Sequence, residues 1–121
     1  MTRAKGVATI MMPTLGDLAA FITSKNAGPF LVTIDIIFAS RQQYERVRDA
    51  NVVTASVIAE LYGRDARDIL GIFHFDPAKA IKVTLRRLIP SGSPGDTDVY
   101  GAQQHVPLMN YRIPPQAGLD F

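Results

Sequence analysis

The nine residues from Phe30 to Phe38, FLVTIDIIF, constrain this chain more than any others. Seven of them are β-branched or aromatic, and such side chains favour a pleated strand, where they keep their preferred rotamers and pack on their neighbours. Their alternation places Val32, Ile34, Ile36 and Phe38 on one face. A strand with one apolar face needs both pairing strands and a covering layer, so the rest of the chain has to supply them.

The cover is expected from the next segment. Ser40-Arg41-Gln42-Gln43 matches a capping box, in which a hydroxyl and an amide side chain satisfy the unpaired amides of a helix start. Tyr44 and Val47 then share a face, the pattern breaks near Asn51, and Thr54 can cap a second segment carrying Val57, Ile58 and Leu61. Gly63 is a natural stop. Ile69 to Phe75 reads as a strand, Asp76-Pro77-Ala78-Lys79 as a turn, and Ala80 to Ile89 as the returning strand of a hairpin. A short helix is expected from Asp96 or Thr97, ending near Val106 because Pro107 disfavours helical geometry in the residue before it. Leu108 to Ile113 would be a closing strand.

This order, βαββαβ, is that of a ferredoxin-like α+β sandwich: an antiparallel sheet with helices on one face. We read one domain over residues 14–113, an N-terminal arm over 1–13, and a C-terminal tail over 114–121 that holds Pro114, Pro115 and Gly118.

Composition narrows the function classes. With 121 residues, 47% of them hydrophobic and 20% charged, the chain is long enough and apolar enough for one globular domain. The formal charge is only +2, and the basic residues are scattered, so a nucleic-acid partner is not expected. The absence of cysteine rules out disulfides and thiolate metal sites and fits a cytoplasmic location. The apolar run Val7 to Met12 is far shorter than the roughly 20 residues that span a bilayer, so no membrane association is expected. No motif points to a cofactor.

The sheet face away from the helices is mixed. If Val32, Ile34 and Ile36 face the helices, alternation turns Leu31, Thr33, Asp35 and Ile37 outward, joined by Leu70, Ile72, His74 and Asp76 and then by Lys82, Thr84 and Arg86. Apolar residues interleaved with charges suit a subunit interface, so this face is expected to be covered by another chain.

Three groups can carry chemistry. In Thr23-Ser24-Lys25-Asn26-Ala27-Gly28-Pro29, the Lys25 cation with Ser24, Asn26 and the backbone freedom of Gly28 can hold a carboxylate or phosphate; the same residues also make a plain turn. In the stretch PSGSPGDTDVYGAQQHV, the candidate acid–base residues are Asp96, Asp98 and His105, with Ser93, Gly95, Tyr100 and Gln103 as ligand-binding groups. Asp96 can equally be a helix cap. His74 and Asp76 alternate on one strand, but two ligands are too few for a metal site, and none is expected.

The segments LGDLAAFITSKNAGPFLVTIDIIF, YERV, LYG, FHFDPAKAIKVTL and PSGSPGDTDVYGAQQHVPL together resemble a small, largely uncharacterised bacterial family encoded beside AtuA-type acyclic terpene utilisation proteins. The resemblance covers roughly Leu15 to Ile113. More distantly, the chain resembles the ferredoxin-fold domain attached to many longer AtuA-like proteins. It implies an accessory or small subunit of a larger AtuA-like protein, in catabolism of a branched or hydroxylated carboxylic acid or its thioester. In that arrangement Lys25, Asn26, Asp96, Asp98, Gln103 and His105 would finish a pocket at the interface. The alternatives are a self-sufficient homo-oligomeric enzyme and a module that binds a small acidic ligand without chemistry.

Overall fold

The computed structural model describes residues 12–87, 91–96, 98, 101 and 103–114. Along the chain run α1 (Leu15–Leu18), β1 (Phe21–Asn26), β2 (Leu31–Ile37), α2 (Arg41–Asp49), α3 (Ala55–Tyr62), β3 (Ile69–Phe75), β4 (Ala80–Arg86) and α4 (Val106–Met109). The four strands form one antiparallel sheet in the order β1-β2-β4-β3. The fold is α+β.

The helices start and stop where side chains satisfy their ends. Ser40 accepts the Gln43 amide at 3.2 Å and Thr54 accepts the Val57 amide at 3.2 Å. Gly63 ends α3 in the left-handed conformation at φ 61°, which costs a glycine little. Tyr44 and Val47 of α2 and Ile58 and Ala59 of α3 are buried in one cluster with Ile34, Ile36, Ile81 and Val83 of the sheet. Each such aliphatic side chain removed from water contributes about 1.5–3 kcal/mol before entropy is counted.

The βαββαβ order is not matched. β2 and β3 are parallel, joined by α2 and α3, and β4 lies between them, antiparallel to both; this much is a split βαβ unit. The strand flanking β2 on its other side is β1, which precedes the unit and reaches it through a hairpin. The expected closing strand, Leu108 to Ile113, is instead α4 followed by a single bridge from Arg112 to Thr14. The expected helix from Asp96 to Val106 is displaced as well: the turn at Gln103 to His105 leads into α4, which has Pro107 in its first turn. Proline is well placed there, because that amide has no partner in a helix and its φ is already helical.

The face assignment also needs correction on one strand. A bulge between Ile69 and Gly71 shifts β3, so that Ile72 pairs with Val83 and His74 with Ile81 on the helix side, while Phe73 pairs with Lys82 and Phe75 with Ala80 on the open side. One extra residue inverts every side chain beyond it. Asp76 is not on the strand: it opens the turn into β4, where Tyr44 donates to its carboxylate at 2.5 Å and Arg48 at 3.1 Å. Hydrogen bonds from Tyr44 and Arg48 hold the Asp76 carboxyl below its ordinary range. Burial and then the bond to Asp76 push the Tyr44 phenol up to about 12. The His74–Asp76 pairing is therefore absent.

Candidate functional site

The inner face of the sheet is covered at β2, β4 and β3 by the helices. At β1 it presents Ser24 and Asn26, and Ser91, Asp96, Asp98, Gly101 and His105 gather beside them. Ser24 is buried and donates to the Gly101 carbonyl at 2.6 Å. Asn26 donates to the Ser91 hydroxyl at 3.1 Å. Gly101 lies so close that a Cβ built on it would stand 2.6 Å from Asn26 Oδ1 and 3.0 Å from the Asn26 amide nitrogen; its φ is +70°. Only glycine fits that approach without strain.

At the centre is Arg87, the first residue after β4 and on the inward side of its alternation. Its guanidinium donates to Asn26 Oδ1 at 2.6 Å, to Asp96 Oδ1 at 2.8 Å and to the Asp98 carbonyl at 2.7 Å. The Arg87 and Asp96 side chains are 4% and 3% exposed. Asp96 further accepts the amides of Gly92 at 2.9 Å and Asp98 at 2.8 Å. Asp98 accepts the Gln103 amide and the Gln104 side chain, both at 3.0 Å. The Gln104 carbonyl in turn accepts from Tyr62 at 2.7 Å, whose phenol burial pushes up. An irregular stretch is thus held by one guanidinium fork and two carboxylates.

These contacts limit the chemistry. The amides of Gly92 and Asp98, and then the Arg87 charge, hold Asp96 below the ordinary 3.8, so it is ionised and has no proton to give near neutrality. Asp98 spends its carboxylate on organising Gln103 and Gln104. His105 Nδ1 lies 3.4 Å from Ser24 Oγ. Because the Ser24 proton goes to the Gly101 carbonyl, Ser24 Oγ does not present it to the ring. That is not the arrangement of a nucleophile delivering its proton to a histidine base.

The structure therefore brings together Ser24, Asn26, Asp96, Asp98, Gln103 and His105. Lys25 is not with them: alternation along β1 puts it on the opposite, open face, exposed, with Thr33 as its cross-strand neighbour. Gly28 lies in the β1–β2 turn at φ +79°, and Gly95 in the loop at φ +90°. Ser93 is half-buried, and its carbonyl accepts the Asp96 amide at 3.0 Å. Tyr100 lies outside the described residues. The residue that sequence reading missed is Arg87, and the signal was available: in AIKVTLRR the alternation that buries Ile81, Val83 and Leu85 turns Arg87 to the same side. A lone charge on the apolar face of a strand requires a partner.

Among the described residues, no group of three or more His, Asp or Glu side chains can hold a metal ion. No helix among them is long and apolar enough to cross a membrane.

The Asp96 carboxylate makes an acid-stability test. Its folded pKa lies below the unfolded value, so its contribution is complete above the unfolded pKa and is lost as pH falls through the folded one. In urea titrations from pH 7 down to about pH 2, the stability gap between the native chain and Asp96→Asn is expected to narrow below about pH 4. A gap that stays constant across that range would mean the charge is not what holds the loop.

Fold and site together define a small α+β domain that presents one irregular loop pinned by a buried arginine. Residues 15–112 match the family described as Domain of unknown function (DUF4387), and the chain belongs to it. No curated protein and no solved structure matches the chain.

Proposed function

We propose that this chain is an accessory subunit that assembles with a larger AtuA-like protein in bacterial catabolism of a branched or hydroxylated carboxylic acid or its thioester, and that the surface it offers is the loop from Ser91 to His105. The observation that carries this reading is the buried Arg87–Asp96 pair under an otherwise irregular stretch. Taking both charges out of water is costly, and a long loop fixed at such a cost is more often a functional surface than a connection. Gln103 and Val106 are exposed at its end, available to a partner. With Asp96 and Asp98 committed inside the fold, the chain is better suited to shaping a shared pocket than to supplying a complete acid–base pair.

The test is co-expression with an AtuA-like protein, followed by the mass of the purified material. A defined mixed complex, weakened when Gln103 is replaced by arginine, is the expected result. A chain that ignores the larger protein, or that turns over a small acid alone, would overturn the accessory reading.

A further inference from the structure

The open face of the sheet can be written as a grid, because the register is unbroken along β1, β2 and β4 and from Gly71 to Phe75 of β3. The first row reads Phe21, Ile37, Ala80, Phe75; the second Thr23, Asp35, Lys82, Phe73; the third Lys25, Thr33, Thr84, Gly71. Phe21, Phe73 and Phe75 are 55%, 60% and 48% exposed, and the Phe73 and Phe75 rings stack with centroids 6.1 Å apart. A recess of about 370 Å³ lies between Ile37, Phe73, Phe75, Ala78 and Ala80, bounded by Asp35 and Lys82. A whole apolar row on an exposed sheet calls for a cover.

We propose that the cover is a second copy of this chain, packed face to face about a two-fold axis that runs along the strands between β2 and β4. Such an axis lays β2 over β4 and β1 over β3 of the other copy while keeping each row over itself. The grid is complementary under that operation. Ile37 stands over Ala80 and Lys25 over Gly71, large over small. Phe21 stands over Phe75, beside the recess. Asp35 stands over Lys82 and Lys82 over Asp35, so the intrachain pair, 4.0 Å apart, becomes a ring of four alternating charges. An isologous contact requires this kind of self-complementarity, and a face built for an unrelated protein has no reason to show it. The match is closest at β2 and β4, beside the axis, and loosens toward β1 and β3, where the twist of packed sheets turns strands apart by about 30°. Ser91, Asp96, Asp98 and His105 lie on the other side of the sheet, with Ser24, Asn26 and Arg87, so this contact is independent of the accessory reading.

The experiment uses the chain alone. At concentrations of tens of micromolar the native chain is expected to sediment as a dimer. Asp35→Lys puts four lysines in the ring and Lys82→Asp puts four aspartates there, so each variant is expected to be monomeric with an unchanged circular dichroism spectrum. Mixed in equal amounts, they are expected to form a dimer again, because each lysine then faces an aspartate of the other copy. An intrachain role for the pair cannot give that rescue, since within each variant the two neighbours still repel. Phe75→Glu should also yield a folded monomer. A monomeric native chain, single variants that stay dimeric, or a mixture that stays monomeric would each overturn the proposal.

Discussion

Replacing Arg87 with methionine is expected to lower the stability of the chain by about 3–5 kcal/mol, the usual cost of removing one member of a buried ion pair. The stem of the side chain is kept and packing changes little; what is lost is the fork. The change takes away the donor that Asn26 Oδ1, the Asp96 carboxylate and the Asp98 carbonyl now share. Adding Asp96→Asn to the same chain should recover part of the loss, because the asparagine oxygen still accepts one of the two amides, that of Gly92 or of Asp98, and no charge remains buried. Hydrogen exchange should show the damage first at the amides of Gly92, Asp98 and Gln103, with β2 and β4 affected later. Uniform loss of protection across the sheet would show that the loop and the core are one cooperative unit.

Leu108→Ala is the counterpart on the apolar side. Leu108 is fully buried in α4, which packs on α1 and α3. The lost methyl groups and the cavity left behind should cost about 3 kcal/mol, or roughly 15 °C of melting temperature for a domain of this size. Here the loss of protection is expected to be global, because α4 closes the main core. A drop below about 1 kcal/mol would mean that α4 is loosely held.

Much of the sheet was legible because its signals are local. FLVTIDIIF, ILGIFHF and AIKVTLRR each carry their own alternation, and Ser40, Thr54 and Gly63 carry the chemistry that starts and stops helices. β1 was missed because its polar residues, Thr23 to Asn26, read as turn formers; their strand state comes from pairing with β2, and the later Ala27-Gly28-Pro29 is the actual turn. Pro107 was read as a stop when it is a start, since its effect depends on which side the helix lies. The faces of β3 were inverted by a bulge at Leu70 that no composition rule marks. At the site, Ser24, Asn26, Asp96, Asp98, Gln103 and His105 were visible as polar groups, but the fork that joins Asn26 to Asp96 and Asp98 was not, because Arg87 is 61 residues from Asn26 along the chain and meets it only through the sheet.

The pairing of Pro13, Thr14 and Leu15 with residues 111–113 also decides how this domain can be joined to others. The Leu15 amide donates to the Tyr111 carbonyl at 2.8 Å and the Ile113 amide to the Pro13 carbonyl at 3.0 Å, so the two ends of the fold run antiparallel, side by side. A host protein could accept the whole unit in a single surface loop, parting its own backbone by little more than the distance between two strands, about 5 Å. The same geometry lets new termini be opened at the β3–β4 turn with the old ones linked by a few residues, so the covalent order of this fold is more negotiable than its packing.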